Sequence, residues 1–122
     1  MITVLKSNSI QDIFQIVLKR YWDHSVNAKK AVAGDTIIVV PTKGELNNLN
    51  VDATEPVAIE FVVDKIERVT HEGSQSNERE EDTVEYNTRF HVRPGTIRAV
   101  DVKTVKFLLD EIGQVSVLYL DL

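Results

Sequence analysis

The chain reads as an α+β fold, a curved, mostly antiparallel sheet or partly open barrel with two helices packed against it. Three observations predict this. Two segments carry apolar residues at three- and four-residue spacing. Several shorter segments alternate apolar with polar residues or stay apolar over a strand's length. Finally, the middle strands follow one another directly, giving the order β-α-β-β-β-(β)-α-β, in which the bracketed strand is short.

Ile2, Val4 and the stem of Lys6 alternate with Thr3 and Leu5, a short first strand ended by Ser7-Asn8-Ser9. Ser9 and Asp12 place a hydroxyl and an acid at the start of a helix over Ser9–Asp23. Its apolar stripe is Ile10, Ile13, Phe14, Val17, Leu18, Tyr21 and Trp22, and the terminal aromatics are expected to close over the core. Gly34-Asp35 turns the chain into Thr36–Val40, an unbroken apolar run expected to be covered on both faces. Pro41 ends that strand, and residues 42–50 read as an exposed loop rich in turn formers.

Val57, Ile59, Phe61 and Val63 alternate with Ala58, Glu60, Val62 and Asp64, and the phase then shifts, which predicts a bulge at Asp64-Lys65 before Ile66 and Val69. Residues 72–82 read EGSQSNEREED, with the acids Glu72, Glu78, Glu80, Glu81 and Asp82 against the single base Arg79. Nothing there can be buried, so the segment is expected to be a flexible acidic loop. It is either a binding loop that orders on contact or a tolerated hairpin insertion. Val84, Tyr86, Thr88, Phe90 and Val92 form the next strand, expected to pair with the preceding one as a long hairpin.

Pro94-Gly95 suits a type II turn leading to a short strand at Ile97 and Ala99. Asp101 then caps a second helix with Val102, Val105, Leu108, Leu109 and Ile112 on one stripe, ended by Gly113. The final run, Val115–Leu122, is apolar on both faces and predicts a central strand or an edge strand covered by another subunit.

At 122 residues, 43% apolar and 27% charged, the chain has the size and composition of a single domain spanning 1–122. The absence of cysteine removes disulfides, thiolate nucleophiles and thiolate metal sites together, while leaving the compartment open between cytoplasm and virion. No stretch reaches the roughly 20 apolar residues of a membrane helix, and the N-terminus is too short for a signal peptide's apolar region. A soluble protein with no membrane partner and no export signal is expected. A net charge of −5 opposes coating of duplex DNA.

No catalytic set emerges. There is no Gly-x-Ser-x-Gly elbow, and the five glycines stand apart rather than forming a phosphate loop. His24, His71 and His91 lack the paired spacing of zinc enzymes, and the acid pairs Glu80-Glu81-Asp82 and Asp110-Glu111 read as surface charge. No catalytic residue, metal or cofactor is therefore assigned.

The most suggestive constellation is Arg89, His91 and Arg93, which alternate along one strand and share a face, with Arg98 just beyond the turn. Together they form a candidate anion platform, because the guanidinium fork donates paired hydrogen bonds to phosphate or carboxylate. The competing reading pairs these cations with Glu60, Asp64 or Glu67 on a neighbouring strand.

Gly34-Asp35 leading into Thr36–Val40, with the later strand ending Asp64–Val69, resembles the small β-barrels of the PUA/ASCH group. The resemblance implies binding of RNA or modified bases. It does not extend to that group's Gly-x-Lys-x-x-Glu-x-Arg signature, where this chain reads Asn27–Ala33.

The function expected from the residues is a non-enzymatic interaction or assembly domain, comparable by analogy to phage accessory or structural proteins and to inhibitor or immunity-type proteins. Its partner is another protein or a second copy. The acidic loop would engage the partner, and Val117, Tyr119, Leu120 and Leu122 of the last strand would support self-association by edge pairing. The alternative is a module for a nucleotide-like anion or RNA that uses the basic strand face.

Overall fold

The computed structural model describes residues 1–7, 11–24, 30–71 and 85–121. In chain order its elements are β1 (Ile2–Lys6), α1 (Gln11–Lys19), β2 (Tyr21–His24), β3 (Thr36–Val40), α2 (Lys43–Leu49), β4 (Pro56–His71), β5 (Glu85–Val92), β6 (Arg98–Asp101), α3 (Val102–Ile112) and β7 (Val117–Leu120). The predicted acidic loop, with Glu72, Glu78, Arg79, Glu80, Glu81 and Asp82, lies outside the described residues, as does Leu122.

The fold is α+β, with a seven-stranded mixed sheet in the order β2-β5-β4-β3-β1-β7 and with β6 paired to β4. Among the described strands only β1 and β3 run parallel, from Ile2 opposite Thr36 to Lys6 opposite Val40; the other described pairs are antiparallel. Of the two expected forms, a curved sheet or a partly open barrel, the described strands do not close into a barrel. Closure requires the end strands to pair, whereas β2 pairs with β5 at one end and β7 with β1 at the other.

The apolar run of β3 is explained by two cores, one on each face. Ile37 and Val39 join Leu5, Ile16, Trp22, Phe61 and Phe90 on one side; Ile38 and Val40 join Val4, Leu46, Val105 and Leu109 on the other. Trp22, Phe61 and Phe90 are fully buried, each contributing about 1.5–3 kcal/mol relative to exposure. The bulge predicted at Asp64-Lys65 is present as a register shift between Val63 and Lys65. Up to that shift β4 lies beside β3, and beyond it β4 continues as a hairpin arm with β5 as far as His71 opposite Glu85.

Helix ends follow their cap residues. Asp101 accepts a hydrogen bond from the Thr104 N–H at 2.9 Å, and α3 stops where Gly113 takes a φ of 58°. Gly95 has the positive φ, 78°, that the turn after β5 requires.

Three expectations are corrected. Residues 42–50 are not all loop, because Thr42 and Glu45 form a reciprocal capping box that starts α2, and left-handed Asn50 ends it. The described residues thus hold three helices rather than two. The first helix does not run to Asp23: Arg20 takes a left-handed φ of 66° and the chain re-enters the sheet as β2. Continued as helix, Trp22 would have extended the stripe of Phe14 and Leu18, which faces outward; as strand it is entirely buried. The side of α1 that meets the core is likewise not the expected one. Ile16 is its single fully buried residue, on the side opposite Phe14 and Leu18.

Candidate functional site

Alternation along β5 sends Thr88, Phe90 and Val92 inward and leaves Arg89 and His91 on the outer face. The neighbouring strands place partners at the same level. Asp23 of β2 and Glu67 of β4 flank Arg89, and Tyr21 and Lys65 flank His91. Arg89 takes Asp23 with both prongs, Nε to Oδ1 at 2.7 Å and Nη2 to Oδ2 at 2.9 Å, and lies 4.2 Å from the centre of the Tyr21 ring. The hydrogen bond to Asp23 and its negative charge hold the Arg89 guanidinium even more firmly protonated than usual.

His91 Nε2 meets Glu67 Oε1, and its ring centre lies 6.2 Å from that of Tyr21. The hydrogen bond from His91 lowers the Glu67 carboxyl below its ordinary range, with burial acting in the opposite direction and the charges of His91, Lys65 and Arg89 adding to the lowering. Beyond the end of β5, Arg93 Nε stands 3.7 Å from Asp64 Oδ1 on an exposed stretch. Arg98 opens β6 opposite Glu60 and is exposed.

The strand alternation therefore brings Arg89 and His91 onto one face, with Arg93 at its end, each beside a carboxylate. Two of those carboxylates, Asp64 and Glu67, were named in the competing reading; Asp23 was missed because Tyr21–His24 read as helix. An incoming anion would have to compete with Asp23, Glu67 and Asp64 for these cations.

The last strand, β7, is an edge of the sheet, and its residues Val117, Tyr119 and Leu120 are partly buried. Val117 packs against one core and Leu120 against the other, so alternate side chains serve both faces. The Lys30 ammonium sits 5.4 Å from the centre of the Tyr119 ring.

The largest apolar exposure on any one helix belongs to α1. Phe14, Val17 and Leu18 are 54%, 41% and 77% exposed and adjacent on two successive turns, and Gln11, Asp12, Gln15 and Lys19 line the surface beside Phe14 and Leu18. Sequence periodicity found this stripe but assigned it to the core; the signal against that assignment was Ile16, which makes the helix apolar on two sides.

Among the described residues no group of three or more metal-ligating side chains converges, and no helix is long and apolar enough to cross a membrane. Comparison with family models, with curated proteins and with solved structures gives no match.

Proposed function

We propose that the protein is a non-enzymatic assembly domain that associates with a second copy of itself through the outer face of α1. The observation that carries this reading is the stripe of Phe14, Val17 and Leu18, three large apolar side chains left to water on a helix whose opposite side already serves the core. Such a surface lowers its free energy when covered, and a stripe without charge is self-complementary about a two-fold axis. The chain's net charge of −5 works against association at long range, but beside Phe14 and Leu18 the surface carries one acid and one base, Asp12 and Lys19, together with the amides Gln11 and Gln15, so it has no excess of either sign. The pairing of Arg89, His91 and Arg93 with carboxylates supports this reading over an anion-binding one, since an anion would gain only what it takes from Asp23, Glu67 and Asp64.

Sedimentation velocity across a concentration series tests it. The wild-type chain is expected to pass from monomer to dimer. Leu18→Asp should weaken that association by about tenfold or more, because a buried leucine contributes about 1.5–3 kcal/mol and 1.4 kcal/mol is a factor of ten. At concentrations where both chains are monomeric its thermal unfolding should match that of wild type, since Leu18 is outside the core. A wild-type chain that remains monomeric throughout refutes self-assembly.

A further inference from the structure

Two adjacent parallel strands, β1 and β3, end together, with Lys6 opposite Val40. From β1 the chain leads to α1, whose Ile16 joins the core on one face; from β3 it leads to α2, whose Leu46 joins the core on the other. Helices that leave neighbouring parallel strands toward opposite faces leave a crevice beyond the strands' carboxyl ends, the position at which open, mostly parallel sheets take ligands; the β1–β3 pair reproduces that arrangement locally in a sheet whose other described pairs are antiparallel.

Here that position holds a cleft of about 240 Å³. Ser7 and Pro41, the residues after β1 and β3, border it together with Val57 of β4, and Ile13 of α1 and Leu49 of α2 form its walls. Its remaining lining is polar and comes from α2 alone: Glu45 and Asn48, which share a helix face with Leu49. Glu45 is already oriented, because its Oε1 accepts from the Thr42 N–H at 3.2 Å and from the Thr42 hydroxyl at 3.3 Å. Leu49 is 41% exposed although it lies on the same helix as the buried Leu46, so its apolar surface is available to an occupant.

We infer that this cleft binds a small primary amine bearing a single apolar ring. The size argument is that a cavity of about 150 Å³ lined by aliphatic side chains holds benzene, and this cleft exceeds that by enough for a short alkyl arm. The charge argument is that an ammonium is the group that a fixed carboxylate at an apolar rim recognises, by a charge-assisted hydrogen bond. The ring lies among Ile13, Pro41, Leu49 and Val57, and the ammonium meets Glu45 with the Asn48 side-chain carbonyl as second acceptor. This binding is separate from self-association and stands whether or not the chain dimerises.

The test is an amide-resolved NMR titration with phenethylamine, its neutral counterpart 2-phenylethanol, and butylamine. Phenethylamine should give saturable shifts at Ile13, Asn48, Leu49 and Val57. 2-Phenylethanol should bind roughly fivefold more weakly, and butylamine, without a ring, at least as weakly. Glu45→Gln keeps the capping box, which accepts glutamine at this position, and should bring phenethylamine down to the affinity of 2-phenylethanol. Leu49→Trp fills the cleft from an already exposed position and should abolish both. No saturable shifts with phenethylamine, shifts that survive Leu49→Trp, or equal binding of the amine and the alcohol would each overturn the assignment.

Discussion

Arg89 and Asp23 are joined by two parallel hydrogen bonds across the β5–β2 pair, directly opposite each other in register. β2 has only four residues and pairs with β5 alone, so this fork, with Tyr21 under the guanidinium, anchors a strand that carries the fully buried Trp22. The side chains are 28% and 19% exposed, between a surface pair and a buried one.

Arg89→Ala should therefore destabilise the protein by about 1–2 kcal/mol, more than an exposed pair and less than a fully buried one. Arg89→Lys should recover only part of this, because an ammonium cannot reproduce the planar fork. Arg93→Ala, whose partner Asp64 is 3.7 Å away and half exposed, should stay within about 0.5 kcal/mol of wild type. Urea unfolding of the three variants checks the ranking, and equal losses for Arg89→Ala and Arg93→Ala would remove the fork's special role.

A pH dependence follows from Glu67. Its carboxyl is lowered in the folded state, first by the hydrogen bond from His91, so folding is favoured above the unfolded value of 4.5 and that contribution disappears as pH falls through the lower folded value. Asp101, lowered by its hydrogen bonds from Thr104 against an unfolded value of 3.8, acts in the same direction over a more acidic window. Melting temperatures measured from neutral to acid pH should therefore fall, and Glu67→Gln should flatten the portion of that fall nearest 4.5. A wild-type curve that Glu67→Gln reproduces at every pH would show that the His91 contact adds nothing.

Much of this arrangement was legible in the residues, for local reasons. The buried β3 was an apolar run bounded by Gly34-Asp35 and Pro41, the bulge in β4 was a break in alternation at Asp64-Lys65, and α3 carried both of its caps in Asp101 and Gly113. What the residues hid depended on competition between elements. Tyr21–His24 fits a helical stripe as well as a strand, and the outcome turned on whether Trp22 gained more burial beside Phe90 than beside Leu18. α1 offered apolar residues on two sides, and only the position of Leu5, Ile37 and Val39 chose Ile16. The site suffered from the same ambiguity, since Asp23 could not be matched to Arg89 until Tyr21–His24 became a strand. By contrast, α2 was visible in principle, as Thr42-x-x-Glu45, but its asparagines and glycine weigh toward loop.

Trp22 supplies an internal reporter, being the only tryptophan of the chain. It is fully buried, with the His24 ring edge-on at 4.8 Å and, among the described residues, no hydrogen-bond acceptor for its Nε1. Native fluorescence should therefore be blue-shifted and resistant to iodide, moving to the red in a single step on unfolding. Strong iodide quenching of the folded protein would contradict the placement of β2 against the core.

The capping box of α2 gives the sharpest local test. Thr42 accepts from the Glu45 N–H at 3.2 Å while Glu45 accepts from the Thr42 N–H, so Thr42→Ala removes one half of a reciprocal pair and leaves an amide of the first turn without its partner. The expected cost is about 1 kcal/mol, and Thr42→Ser, which keeps the hydroxyl, should restore nearly all of it. Because α2 contributes a single buried residue, Leu46, its seven residues depend on this cap more than α3 depends on Asp101, where five buried side chains hold the helix in place. Hydrogen exchange should show that difference directly: in Thr42→Ala the amides of α2 should lose protection before global unfolding, whereas in Asp101→Ala those of α3 should exchange only with the whole molecule. Uniform loss of protection across both helices in Thr42→Ala would mean that α2 is held by its neighbours and not by its cap.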